Sequence, residues 1–279
     1  MKYFWENGSL KNELCTCGSA FLDCNFWKRV RQEIRVRGGE NCAHTMISLG
    51  ASFDKAQHLV RVISSGRGRK QRAEFEKYVR NLKILYGAVA RVSGCDTVVD
   101  SSKFSGYGLM LTSVPGLDVR VVHLVRDSRA VAFSWARKKV RPESQGRMEY
   151  MPRLPAARCA AYWVRENLSS EFLRRRSARF IRMRYEDFVS RPQRHLETIG
   201  TALALRLDIV DLPRNESAQF DGGEHMLAGN PMRFARGRVD LRVDDEWRRA
   251  MPHWSQAVVT AMTWPLLFRY GYLKRRNGA

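Results

Sequence analysis

The chain has 279 residues, enough for one large α/β domain with a substantial buried core. Its 49 Lys and Arg against 28 Asp and Glu give a net charge of +21, which attracts anions, but the basic residues are scattered and carry no nucleic-acid-binding signature. A dedicated nucleic-acid module is therefore the weaker interpretation. No apolar run approaches the ~18 to 20 residues of a membrane span, and no signal peptide is recognisable, so we expect a soluble, cytoplasmic protein without a membrane span.

Residues 1–60 are predicted to form a loop-rich, cysteine-containing segment packed on the main body through four aromatic residues: Trp5, Phe21, Phe26 and Trp27. Cys15, Cys17 and Cys24 lie within ten residues, and Cys42 and His44 follow, which raises zinc as an alternative. A Cys-x-Cys pair is less usual than the spacing of structural zinc sites, and the fourth ligand is ambiguous. We therefore expect no metal, and a reducing cytosol disfavours stable disulfides.

The next stretch predicts two helices and a strand. Residues 47–62 have helical spacing, and residues 69–92 carry an apolar stripe opposite Arg and Lys. Residues 97–100 predict a short buried strand that ends in an acid, two hydroxyls and an amine: Asp100, Ser101, Ser102 and Lys103. Ligands bind at this edge of an α/β sheet, so the cluster is a candidate site. The alternative is that Asp100 caps a helix and Lys103 is solvated.

The centre of the chain predicts a strand, a polar turn and a helix. Residues 119–125 are nearly all apolar and β-branched, which is typical of a central strand buried on both faces of a parallel sheet. Asp127 or Ser128 can cap the helix that follows. Free N–H groups at such a helix start bind anions, so Arg126 and Ser134 form a candidate phosphate clamp. The alternative is that Arg126 makes a structural ion pair.

The remaining residues alternate helices, one strand and loops. Helices are predicted over 153–177 and 192–205, and a strand over 179–184 is followed by Tyr185. Gly and Pro punctuate residues 140–152, which predicts a mobile loop over the substrate, while 207–229 is also loop. Near the C-terminus, Arg233, Arg236 and Gly237 are predicted to form a tight anion-binding turn. Asp244 is predicted to cap a helix, and further helices are predicted over 254–272, interrupted at Pro265.

Four of these segments, in this order, resemble sulfotransferases that use 3′-phosphoadenosine 5′-phosphosulfate. The run from Arg126 to Ser134 is similar to the segment that binds the donor's 3′-phosphate, and Val99 to Lys103 looks like a run in bacterial members. The Cys-x-Cys-Gly opening also looks like bacterial members. The resemblance covers residues 5–272 and implies site roles: Arg126, Ser134, Arg236 and Gly237 with Arg233 for the 3′-phosphate, Tyr185 for the adenine, Asp100 as catalytic base and Lys103 for the sulfuryl group.

The resemblance also implies the fold and the reaction. The fold is three-layer α/β, with a mostly parallel sheet flanked by helices as in P-loop nucleoside triphosphate hydrolases, in a single domain over 1–279. Strands near 97–100, 119–125 and 179–184 would bring the polar groups to one sheet edge. The reaction is sulfuryl transfer from 3′-phosphoadenosine 5′-phosphosulfate to a hydroxyl of a small-molecule or carbohydrate acceptor. The alternative is a non-catalytic nucleotide- or polyanion-binding protein.

One hallmark of the resemblance is not recognisable: a Gly-rich strand–loop–helix that cradles the 5′-phosphosulfate. The nearest candidate, residues 64–68, follows a predicted helix rather than a buried strand. In that loop, N–H groups and a cation stabilise the charge that builds on the bridging oxygen as it leaves. We therefore expect an N-terminally truncated chain whose natural start lies upstream, and poor sulfate transfer by the chain as given.

Overall fold

The structure is a computed structural model that describes residues 5–54, 68–101, 104–140, 150–207, 217–220, 222, 224–227 and 231–273. The described residues belong to two compact units. The first unit takes its residues from 1–119 and 221–235, and the second takes them from 120–140, 150–220 and 236–273. Lys103, most of residues 64–68 and most of the predicted loops at 140–152 and 207–229 lie outside the described residues. Among the described helices, none is long and apolar enough to cross a membrane.

The first unit is helical in its described part. After a turn of π-helix at Glu6–Leu10 it contains α1 (Asn25–Gly38), α2 (Cys42–Phe53), α3 (Arg69–Ser93) and α4 (Ser105–Leu111). The amphipathic helix predicted over 69–92 is confirmed as α3, and α1 and α2 pack against it. The N-terminal segment thus holds two helices, more regular structure than a loop-rich segment. Its aromatic anchors Trp5, Phe21 and Trp27 are buried as expected.

The second unit combines helices with short strands. Its elements are β1 (Arg120–Val125), α5 (Ser128–Ala136), α6 (Ala156–Leu173), β2 (Arg179–Arg184), α7 (Tyr185–Ser190), α8 (Pro192–Leu203), β3 (Ser217–Phe220), β4 (Gly237–Asp240), α9 (Trp247–Ala250) and α10 (His253–Arg269). β1 pairs with β2 in parallel, and β3 pairs with β4 in antiparallel orientation. The predicted strands at 119–125 and 179–184 and the helices at 153–177 and 192–205 are confirmed.

Helices pack on both faces of the β1–β2 pair. On one face, Val125 lies in a cluster with Trp163 of α6 and with Leu267 of α10. On the other face, Met183 of β2 packs against Ile199 and Leu203, which project from α8. Alternation along each strand sends successive side chains to opposite faces, which explains why both helix layers find apolar partners. The unit is therefore α/β, with a small parallel sheet in a helix-rich chain.

Two sequence predictions about strands are wrong. Residues 97–100 are described but form no strand, and Val99 is 90% exposed, because no described segment pairs with them. The expectation that β1 is buried on both faces also fails. Its Val122 and Leu124 are 40% and 44% exposed, because among the described residues α8 packs mainly on β2 and covers less of β1 on that face.

The predicted break at Pro265 is wrong as well. Pro265 lies inside α10, which continues from His253 to Arg269. A proline inside a helix costs about 3 kcal/mol because it removes one backbone hydrogen bond and crowds the preceding turn. Pro265 lies on the exposed side of α10, while Val259 and Leu267 on the other side are fully buried. That burial offsets the local penalty, so the helix persists.

Candidate functional site

The parallel pairing of β1 with β2 brings two predicted site residues together. Val125 pairs with Arg184 at the carboxyl end of the two strands, so Arg126 and Tyr185 are the next residue of each strand. The guanidinium carbon of Arg126 lies 5.0 Å from the centroid of the Tyr185 ring. The backbone carbonyl of Arg126 accepts a hydrogen bond from Trp163 Nε1 at 2.9 Å, which fixes the turn after β1.

The guanidinium of Arg126 also holds an acidic side chain. Its Nη2 donates to Asp244 Oδ2 at 3.1 Å, and the two side chains are 23% and 42% exposed. Arg126 thus makes an ion pair, which was the alternative to a phosphate clamp. The same geometry shows that this partly buried arginine already binds a carboxylate oxygen. The sequence suggested Asp244 only as a helix cap, and its Oδ1 does accept the Glu246 N–H just before α9.

The helix after Arg126 begins at a buried acidic cap. Asp127 is 4% exposed and accepts the backbone N–H of Arg129 at 2.9 Å, which confirms the predicted cap. The guanidinium of Arg129 returns to the same carboxylate at 2.7 Å and lies over the Trp247 ring. The negative charge that Asp127 brings to the start of α5 is therefore largely balanced by Arg129.

A carboxylate that the sequence did not single out joins the two strand ends. Glu186 Oε1 accepts the backbone N–H of Asp127 at 3.1 Å, and its Oε2 accepts the Tyr272 hydroxyl at 2.7 Å. The same hydroxyl lies 2.9 Å from the Val125 carbonyl oxygen. Burial, followed by the neighbouring Glu186 carboxylate, raises the pKa of Tyr272, so this hydroxyl stays a donor. The network fixes the backbone around Arg126. Glu186 directly follows Tyr185, and that position at a strand end was the available signal.

Ser134 lies in the second turn of α5 and is half-buried. Its Oγ accepts a hydrogen bond from Lys139 Nζ at 2.9 Å. Because a hydroxyl keeps its own proton when it accepts, Ser134 can still donate to an anion while Lys139 supplies positive charge beside it. Lys139 was missed, since it stands in a run of basic residues without distinguishing spacing.

The residues of the predicted anion-binding turn are divided between the two units. Arg233 belongs to the first unit, where it is 9% exposed and donates to the Leu227 carbonyl at 3.3 Å. Arg236 and Gly237 belong to the second unit, and Gly237 opens β4 with φ +75°. Gly237 thus occupies the left-handed region that side chains rarely adopt, which agrees with a tight turn at this point.

Asp100 belongs to the first unit and is exposed. The hydroxyl of Tyr86 donates to Asp100 Oδ2 and lies 2.8 Å from the Tyr107 hydroxyl. Burial, with the Asp100 charge as the next cause, raises the pKa of Tyr86, so the phenol stays protonated and donates to the carboxylate. Asp100 is therefore ordered by the half-buried Tyr86, which in turn contacts the buried Tyr107, while Asp100 itself remains open to solvent.

Comparison with known proteins gives one match. The model of the sulfotransferase family matches residues 58–208, which is more than half of the chain and includes Asp100, Arg126, Ser134 and Tyr185. A search of curated proteins and a search of solved structures each found no match. A match over most of a chain, with the strand ends described above inside it, identifies the family, and the chain therefore belongs to the sulfotransferase family.

Proposed function

We propose that this sulfotransferase takes its sulfuryl group from 3′-phosphoadenosine 5′-phosphosulfate and binds that donor where β1 and β2 end. The observation that carries the proposal is the position of Arg126, whose guanidinium holds a carboxylate 3.1 Å away and lies 5.0 Å from the Tyr185 ring centroid. A cation, an aromatic face and two parallel strand ends at one place suit a nucleotide phosphate.

The 3′-phosphate is expected to replace Asp244 at Arg126. A guanidinium fork binds a phosphate dianion through two parallel N–H groups, and such charge-assisted bonds are stronger than neutral ones. Ser134 adds a hydroxyl donor on α5, and Lys139, which follows the end of that helix, adds a second cation beside it. Ser134 lies six residues beyond the start of α5, or about 9 Å along the helix axis. A phosphate that contacts both Arg126 and Ser134 therefore lies beside α5 and not at its N-terminus.

Further contacts follow from the family resemblance. Tyr185 offers its ring to the adenine, and Arg236 with Gly237 closes on the 3′-phosphate; the resemblance implies a 3′-phosphate contact for Arg233 as well. Gly237 supports this role because its positive φ lets the backbone turn tightly beside an anion. The arrangement proposed for the whole chain is the three-layer sheet and helix fold of that family.

The chemistry proposed for Asp100 is removal of a proton from the acceptor hydroxyl, with Lys103 steadying the sulfuryl group. An in-line displacement needs a base within hydrogen-bond reach of the acceptor, and an exposed carboxylate ordered by Tyr86 is suited to this. The acceptor is proposed to be a small molecule or a carbohydrate. The charge of +21 favours acidic or sugar-like acceptors over hydrophobic ones.

Calorimetry with 3′,5′-bisphosphoadenosine and 5′-AMP tests the donor site. The two ligands differ by the 3′-phosphate, and one charge-assisted contact to Arg126 contributes about 1.5 to 3 kcal/mol. We therefore expect the bisphosphate to bind about 10- to 100-fold more tightly. Equal affinities would contradict the clamp and favour the alternative, a polyanion-binding protein whose affinity follows salt concentration and not the 3′-phosphate.

A further inference from the structure

Four side chains that bind transition metals converge in the first unit, outside the donor site. Cys15, Cys17, Cys24 and His225 each bring one ligand atom, and these atoms all lie within 4.8 Å of one another. The Sγ atoms of Cys17 and Cys24 are 3.6 Å apart, and His225 Nδ1 lies 3.7 Å from Cys15 Sγ and 3.3 Å from Cys24 Sγ.

These separations match a tetrahedral zinc site. Zinc bonds of about 2.3 Å to sulfur and about 2.0 to 2.1 Å to nitrogen place two sulfurs about 3.8 Å apart and a sulfur and a nitrogen about 3.5 Å apart. The three separations given above, 3.3 to 3.7 Å, lie within a few tenths of an ångström of those values, and the other pairs of ligand atoms are no more than 4.8 Å apart.

Backbone hydrogen bonds and the start of α1 fix the positions of the three cysteines. Cys15 and Cys17 stand in a tight turn in which the Gly18 N–H donates to the Cys15 carbonyl and the Cys15 N–H donates to the Ser19 carbonyl, both at 2.9 Å. Gly18 has φ +90°, a conformation in which a side chain would be strained. Cys24 occupies the N-cap position of α1, without a side-chain capping hydrogen bond, and is 1% exposed.

The segment that carries His225 is tied to the same turn. Thr16 N–H donates to the Met226 carbonyl at 3.0 Å, and Met226 N–H donates back to Thr16 Oγ1 at 2.9 Å. The His225 ring stacks on Phe26 with centroids 4.7 Å apart and an angle of 3° between the planes. Contacts on both sides thus hold the imidazole while its Nδ1 lies beside the cysteines.

We propose that Cys15, Cys17, Cys24 and His225 bind a structural zinc ion. Four protein ligands fill a tetrahedral zinc site and leave no position for water, which is the pattern of structural and not catalytic zinc. On binding, the thiols release their protons to solvent, and the neutral imidazole keeps its proton on Nε2. The ion links Cys24 to a residue 201 positions further along the chain and so stabilises the first unit.

The fourth ligand could not be identified from the sequence, because the candidates close to the three cysteines along the chain are not the ones that meet them in the structure. Cys42 and His44 are near in sequence, but among the described residues neither belongs to the cluster, and both lie on α2. A disulfide between Cys17 and Cys24 would use two of the four groups and leave the approach of Cys15 and His225 unexplained. The three cysteines are free thiols in the structure.

The proposal is tested on the full chain purified with a thiol reductant and zinc. Elemental analysis should find about one zinc per chain, and cobalt(II) added to the metal-free protein should show tetrahedral d–d bands with a thiolate-to-metal charge-transfer band. Cys17→Ser and His225→Ala should lower the affinity by more than the ~10- to 100-fold that an outer-shell change costs. Cys17 is exposed, so its replacement leaves the core intact.

Matched controls separate this site from adventitious binding. Cys95→Ser removes another exposed thiol, and His44→Ala removes another imidazole, and both should keep one zinc per chain. Cys17→His, which restores a ligand, should recover zinc binding. The proposal is overturned if the parent holds no zinc, if the ligand variants bind as tightly as the controls, or if cobalt gives an octahedral spectrum without charge transfer. If Cys17→Ser does not fold, the parent stoichiometry and cobalt spectrum decide.

Discussion

Replacing Asp244 with Asn should strengthen binding of 3′,5′-bisphosphoadenosine. In the structure, the guanidinium of Arg126 donates a hydrogen bond to the Asp244 carboxylate, and the proposed 3′-phosphate must displace this carboxylate. Asn keeps the oxygen that accepts the Glu246 N–H, so the start of α9 is preserved while the competing charge is removed. The variant therefore changes the charge facing Arg126 without changing the side-chain shape.

The magnitude follows from the exposure of the pair. Side chains that are 23% and 42% exposed form an ion pair close to the surface, where such pairs contribute about 0.2 to 1 kcal/mol. Because the Arg126 side chain is only 23% exposed, we take the upper part of that range, about 0.5 to 1 kcal/mol. Release from Asp244 should therefore tighten nucleotide binding by roughly two- to fivefold. The gain should shrink as salt is added, because ions screen charges near the surface.

The assay is calorimetry on the parent and on two variants. Asp240→Asn is the matched control, because it removes the same kind of charge from an exposed ion pair, that of Asp240 with Arg242 at 3.3 Å, which does not involve Arg126. It should bind the nucleotide as the parent does. Unchanged or weaker binding by Asp244→Asn would show that Asp244 does not compete with the nucleotide: either Asp244 orients Arg126, or the nucleotide does not reach this guanidinium.

Three further predictions concern single side chains. Arg126→Lys keeps the charge but loses the fork, so calorimetry should show at least tenfold weaker binding of the bisphosphate and unchanged binding of 5′-AMP; an equal loss for both ligands would count against a 3′-phosphate contact. Asp100→Asn should lower sulfate transfer, measured with labelled donor, by the ~10²-fold or more that a general base contributes, and retained turnover would remove Asp100 as base. Glu171 is bonded to two arginines, at 2.5 Å to Arg182 and 3.1 Å to Arg269, and these bonds outweigh burial and lower the pKa of Glu171. The ionised Glu171 therefore stabilises the fold above the ordinary pKa of about 4.3, and this stabilisation is lost as the pH falls through the lower folded pKa. In urea unfolding, Glu171→Gln should have a lower free energy of unfolding than the parent at pH 7, and the difference should vanish in acid. A difference that does not depend on pH would contradict this.

Local pattern was enough for the elements with a strong period or a defined cap. The apolar stripe over 69–92 predicts α3, and the β-branched run at 119–125 predicts β1, because these patterns depend on the period of one element. The Asp127 cap was also predictable, since it needs only a helix start and a short acidic side chain. The roles of Asp100, Arg126, Ser134 and Tyr185 in catalysis and donor binding stay predictions.

Elements whose state depends on neighbours could not be predicted. Residues 97–100 have the composition of a strand, but a strand needs a paired neighbour, and none of the described segments supplies one. Pro265 has the local preference of a helix breaker, and the buried side of α10 overrides it. Both errors arise because composition records the preference of a segment and not the packing around it.

The family and the residue types around Asp100, Arg126 and Tyr185 could be recognised without a structure, because each of these runs is continuous along the chain. Which groups come into contact is visible only in the folded chain. The fold brings Asp244 into contact with Arg126, 118 positions away in the sequence, and His225 into contact with Cys24, 201 positions away. Contacts of this kind depend on the path of the folded chain, and spacing along the sequence carries no record of it.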